Sequence, residues 1–115
     1  MEKEFLKIGH RGARAYEPEN TIRSFKRALE LGVNAVEFDV RQTKDKKVIV
    51  IHDEDVKRTT NGEGFVRDMT LKQIKEFDAG RGEKVPSFEE VLDFIGKKAM
   101  MFIELKETGF EDRVL

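Results

Sequence analysis

The chain has 115 residues, room for one small domain. Its 22 basic and 23 acidic side chains nearly cancel, which argues against the basic excess on one face that nucleic acid requires. It holds no cysteine, so disulfides and thiolate metal sites are excluded. No apolar run approaches the roughly 20 residues of a membrane span. Met1-Glu2-Lys3-Glu4 is too charged to open a secretory signal. A soluble, cytoplasmic protein is the expectation.

In chain order, residues 5–10 form a short apolar run ending in Gly9-His10-Arg11-Gly12, which predicts a strand entering a tight loop. Pro18-Glu19-Asn20-Thr21 opens a helix, with Asn20 or Thr21 as its cap. Ile22, Phe25, Ala28 and Leu29 follow helical spacing, and Gly32 stops it. Residues 33–40 and 48–52 predict the second and third strands, the third ending in His52. Residues 53–67 are polar and predict a long loop. Thr70-Leu71-Lys72-Gln73 and Ser87-Phe88-Glu89-Glu90 are capping boxes, each opening a helix. Residues 99–105 predict a fourth strand, and Phe110, Val114 and Leu115 a further helix.

Strands alternating with amphipathic helices predict an α/β fold. Only seven residues separate Val40 from Val48, whereas a parallel crossover needs about 10–12 or more. Residues 41–47 therefore predict a hairpin. A turn centred between Asp45 and Lys46 would set Asp39 opposite His52.

Alternation along Val36-Glu37-Phe38-Asp39-Val40 puts Glu37 and Asp39 on one strand face. From the pattern alone an exposed polar face of a half-buried strand is the better reading than a functional site. Glu104 stands in the apolar run Met100-Met101-Phe102-Ile103-Glu104-Leu105. A carboxylate in a buried strand is costly unless paired or bound to metal; the alternative is a surface residue at a strand end. Together these three offer hard oxygen ligands suited to Mg²⁺ or Ca²⁺. His10 and His52 are the chain's two histidines, and both end apolar strands. Phosphodiester cleavage needs one proton removed and one delivered, which imidazole does near neutral pH. Arg11 and Lys106 are cations beside these groups, with solvated surface positions as the alternative.

The ordered series Gly9-His10-Arg11-Gly12, Pro18-Glu19-Asn20-Thr21, Glu37-Phe38-Asp39-Val40, Ile51-His52-Asp53 and Ile103-Glu104-Leu105-Lys106 resembles the glycerophosphodiester phosphodiesterase family. Arg58-Thr59-Thr60-Asn61-Gly62, Asp78-Ala79-Gly80 and the run from Val85 to Leu92 also look like family segments. The resemblance implies the first four strands of a TIM-type (β/α)₈ barrel, with residues 54–80 as a short inserted segment. It implies a divalent metal, Mg²⁺ or Ca²⁺, on Glu37, Asp39 and Glu104. It makes His10 and His52 a general acid/base pair, and Arg11 and Lys106 the phosphate contacts. The implied reaction is hydrolysis of a glycerophosphodiester to glycerol 3-phosphate and an alcohol. The implied route has the neighbouring glycerol hydroxyl as nucleophile and a cyclic phosphate that water then opens.

Two departures stand out. The family usually carries Asp-Gly where this chain has Asp45-Lys46, and lysine tolerates a left-handed turn poorly. A whole barrel also takes about 250 residues. A half barrel would leave strand edges unpaired and its carboxylates facing water. It would call for a missing carboxyl-terminal half or for self-association, and a catalytically silent metal- or phosphate-binding module is the alternative to an enzyme.

Overall fold

The computed structural model describes residues 6–114; the expectations for residues 1–4, Phe5 and Leu115 lie outside them. In chain order the elements are β1 (Ile8–His10), α1 (Ile22–Glu30), β2 (Ala35–Gln42), β3 (Val48–Val50), α2 (Leu71–Lys75), α3 (Phe88–Ile95) and β4 (Met100–Leu105). Two 3₁₀ turns, Val66–Asp68 and Glu111–Arg113, complete the set. The second stands where a helix was expected.

The helix starts obey local chemistry. Thr21, not Asn20, caps α1, accepting the Ser24 N–H on Oγ1 at 3.1 Å. Both capping boxes form: Thr70 and Gln73 exchange bonds at 3.2 and 2.9 Å, and Ser87 and Glu90 at 3.1 and 3.3 Å.

β2 is the central strand. β1 and β4 pair with it in parallel, and β3 pairs with it antiparallel. Val40 pairs with both β3 and β4, so these lie on opposite edges of β2. β1 then shares the β3 edge, lower down the strand. Three of the four strands thus run parallel, and the third runs back as the hairpin requires.

Alternation sorts β2 into two faces. Val36, Phe38 and Val40 are fully buried beneath α1 and α3, together with Phe25, Ala28, Val91 and Ile95. Phe25 meets Phe38 edge-on at 5.6 Å between ring centroids. β3 splits likewise. Val50 joins this core, while Ile49 and Ile51 join a second cluster with Val56, Val66, Ile74, Ala79 and Val85. Residues 53–67 are therefore more ordered than their polarity predicts: Asp55 bridges to Phe65, and Val56 and Val66 are fully buried.

The hairpin differs from its predicted register by one residue. Val40 faces Val50, and the Ile51 N–H donates to the Asp39 carbonyl at 2.9 Å. Ile51, not His52, is thus opposite Asp39. The cause is a three-residue loop centred on Asp45: Lys46 N–H donates to Thr43 O at 3.0 Å, and Thr43 N–H to Lys47 O at 2.8 Å. Lys46 closes the loop in the left-handed region, with φ +65°. Left-handed backbone costs a side-chain-bearing residue about 1 kcal/mol or more. Lys46→Gly should therefore raise stability by about 1 kcal/mol. Urea unfolding checks this: the midpoint should rise at constant slope, and an unchanged or lower midpoint refutes the strain.

Candidate active site

Sheet register assembles the site. In parallel pairing, laterally aligned residues project to the same face. His10 is aligned with Glu37 across β1 and β2, and Glu104 with Asp39 across β4 and β2. The three carboxylates each bring one oxygen within 4.8 Å of the others. Two oxygens bound to one Ca²⁺ at about 2.4 Å can stand no more than about 5 Å apart, so this spacing fits a shared divalent cation.

The surroundings answer the negative charge. Lys106 Nζ lies 3.0 Å from Glu104 Oε1 and 3.8 Å from Asp39 Oδ1. Arg11 Nε lies 3.6 Å from Asp39 Oδ2, and Asn20 Nδ2 donates to the same oxygen at 3.3 Å. The Arg11 N–H donates to Glu37 Oε2 at 3.1 Å, and His10 Nε2 is 3.4 Å from that oxygen. Asp39 is only 1% exposed, so it does not face water as an open half barrel predicts. Glu104 follows the surface alternative. β4 contains no buried residue, and Glu104 is an exposed residue whose carboxylate is held by Lys106, not by a dry interior.

The Gly-His-Arg-Gly loop reaches this position because its glycines accept close contacts. A Cβ on Gly9 would stand 2.7 Å from the Gly12 carbonyl oxygen, and one on Gly12 2.5 Å from Ser24 Oγ. Ser24, fully buried on α1, clasps the loop: its hydroxyl donates to Arg11 O at 3.0 Å and accepts from Ala13 N at 2.8 Å.

A second set of charges extends outward from Arg11. Its Nη1 donates to both oxygens of Glu19 at 3.2 Å. Glu19 also receives Arg58 in a fork, with both bonds at 2.9 Å. Arg58 grips Asp53 at 2.8 and 3.0 Å, and Asp53 Oδ1 lies 2.7 Å from His52 Nδ1. Arg41 Nε holds the His52 carbonyl at 2.9 Å. Glu19, Asn20, Asp53 and Arg58 thus belong to the site although residue chemistry alone did not single them out. The available signal was their place inside the family-like segments quoted above.

Environment pushes the carboxyls apart. Burial raises the Glu37 pKa, the Asp39 charge raises it further, and the Arg11 N–H and nearby cations only partly oppose this. Glu104 is held low, first by the Lys106 hydrogen bond and then by its charge, with His52 adding a smaller pull. Asp53 is held well below the carboxylate range, chiefly by the Arg58 hydrogen bond against opposing desolvation. For Glu19 burial works upward, but Arg58 and Arg11 together outweigh it and the pKa is lowered.

The sign of the pH dependence follows. Carboxyls with depressed folded pKa values stabilise the fold above their unfolded values, near about 4, and lose that contribution as pH falls through the folded ones. Arg58→Met should cost on the order of 1 kcal/mol at pH 7, the upper range for a partly exposed ion pair. The gap in melting temperature between the parent chain and Arg58→Met should shrink once pH drops below about 4. Melts recorded from pH 7 to pH 2 check this, and a gap that does not narrow across that range refutes it.

Comparison with known proteins identifies the family. A glycerophosphodiester phosphodiesterase of Caldanaerobacter subterraneus subsp. tengcongensis is 48% identical over 123 residues, covering 96% of this chain and 51% of the relative. A Bacillus subtilis glycerophosphodiester phosphodiesterase is 43% identical over 129 residues, covering 96% and 44%. Among solved structures, the glycerophosphodiester phosphodiesterase of Agrobacterium tumefaciens aligns with TM-score 0.90 at 37% identity, over 96% of this chain and 51% of that one. An Oleispira antarctica phosphodiesterase in complex with the product sn-glycerol-3-phosphate aligns with TM-score 0.87 at 32% identity, over 94% and 47%. The chain spans about half the length of the curated relatives it matches. The model of the glycerophosphoryl diester phosphodiesterase family matches residues 10–114, nearly all of the sequence that builds the sheet and its acidic cluster, and the chain belongs to that family.

Proposed function

We propose that this chain carries the acidic and imidazole groups of a phosphodiesterase site that hydrolyses glycerophosphodiesters to glycerol 3-phosphate and an alcohol. The observation that carries the reading is the convergence of Glu37, Asp39 and Glu104 within 4.8 Å, flanked by His10 on one side and Lys106 on the other. The product named for the Oleispira antarctica relative supports the substrate class. In this reading β1, β2 and β4 are successive strands of a (β/α)₈ barrel, and residues 54–80 are an insertion into it.

Glu37, Asp39 and Glu104 would hold a divalent cation, Mg²⁺ or Ca²⁺. When bound, that ion supplies positive charge against the phosphoryl oxygens. The remaining roles fall to side chains. His10 and His52 form the acid/base pair: one accepts the proton of the attacking hydroxyl, and the other donates a proton to the departing alkoxide. The substrate's own neighbouring glycerol hydroxyl attacks phosphorus, breaking the bond to the alcohol and leaving a cyclic phosphate that water opens. Arg11 and Lys106 add positive charge at the phosphate, fixed in place before substrate arrives. Arg11 is suited to this because its guanidinium is already oriented by Glu19.

Release of glycerol 3-phosphate from glycerophosphocholine, with and without Mg²⁺ or Ca²⁺, tests the reading. Turnover should require the cation and fall by about 10²–10⁴ in His10→Ala and in His52→Ala. Either cation should also raise the melting temperature of the parent chain, and Asp39→Asn should remove that rise. Turnover that ignores both histidines sinks the mechanism. A cation-dependent rise without turnover supports instead a metal-binding module.

A further inference from the structure

We propose that Arg58 is a positioning residue that fixes His52 in its Nδ1-protonated tautomer, acting through Asp53. The inference rests on His52 being a proton-transfer group, and it deepens that reading by naming the nitrogen that does the work.

An ionised carboxylate only accepts hydrogen bonds. Asp53 Oδ1 is 2.7 Å from His52 Nδ1, so Nδ1 carries the hydrogen. Neutral His52 then presents a bare lone pair at Nε2, and protonated His52 presents an Nε2–H. That tautomer is the minor one for free histidine, so something must impose it. Asp53 follows His52 directly in sequence and sits on a short side chain about a quarter exposed. Left alone, its carboxylate would rotate and exchange the imidazole for water. Arg58 prevents this by holding both oxygens, Nε on Oδ2 at 2.8 Å and Nη2 on Oδ1 at 3.0 Å. The depressed Asp53 pKa agrees with an acceptor that stays ionised.

The other edge of the same guanidinium is anchored. Nη1 and Nη2 donate to Glu19 at 2.9 Å each. Glu19 is almost buried, and the Arg11 guanidinium binds its two oxygens. One rigid planar group is therefore clamped between a carboxylate tied to the main core and a carboxylate tied to the imidazole. Lysine cannot substitute, because one ammonium lacks two coplanar forks.

The chain's two histidines, His10 and His52, make the test direct. Long-range ¹H–¹⁵N spectra of the ¹⁵N-labelled full chain, recorded where the imidazoles are neutral, report which nitrogen carries hydrogen. Loss of one set of signals in His10→Gln assigns the other to His52. The parent chain should show His52 predominantly Nδ1–H. Arg58→Lys and Arg58→Gln should each shift His52 several-fold towards Nε2–H while leaving the His10 signals in place. An Nε2–H form of His52 in the parent chain overturns the proposal. So does an Nδ1–H population unmoved by both substitutions. If Arg58→Gln fails to fold, Arg58→Lys and Asp53→Ala carry the same comparison. The readout needs no turnover, so failure of the phosphodiesterase assay and failure of this inference are separate results.

Discussion

Burying a carboxylate without compensation costs several kcal/mol, and Asp39 sits at 1% exposure in the middle strand with Glu37 and Glu104 close by. Three like charges so placed repel one another. The neighbouring structure can be understood as an answer to that repulsion. Arg11 arrives from the loop after β1, Asn20 from the start of α1, and Lys106 from the end of β4. Each comes from a different element, so the charge balance also ties the elements together. The same side chains hold the geometry of the acidic cluster, whose oxygen spacing is what fits a divalent cation.

Hydrophobic packing supplies the rigidity that this balance needs. Val36, Phe38 and Val40 fix the rotation of β2 by their burial under α1 and α3. A one-residue rotation of the alternation would bury Glu37, Asp39 and Arg41 in the apolar layer. Ser24 then transmits the position of α1 to the Arg11 loop through two hydrogen bonds. The acidic face of β2 is thus held from behind by its phenylalanine face.

Much of this was legible in residue order. Both capping boxes, the α1 cap region and the β2 alternation follow from local chemistry, which tertiary packing here leaves intact. Three things were not legible. The hairpin register depended on whether Lys46 would take a left-handed conformation, a choice that propensity disfavours and that strand pairing imposed. The environment of Glu104 depended on strand order: an apolar run predicts burial, but β4 lies beside β2 with its side chains only partly covered. The Arg58 bridge was hidden for a different reason. Its partners Glu19 and Asp53 are 39 and 5 residues away, and no periodicity links such positions.

Arg58 emerges from the stretch that also supplies Val56, Val66 and Ile74 to the second apolar cluster. Its anchor Glu19 precedes α1, which packs in the first cluster. The bridge therefore links the two apolar clusters, which meet at β3. Cooperative units of a protein open at different free energies. If the smaller cluster loosened first, His52 would lose its Asp53–Arg58 partner while β1, β2 and β4 and their acidic oxygens stayed paired. The orientation of His52 and the integrity of the central strands would then be lost at different temperatures.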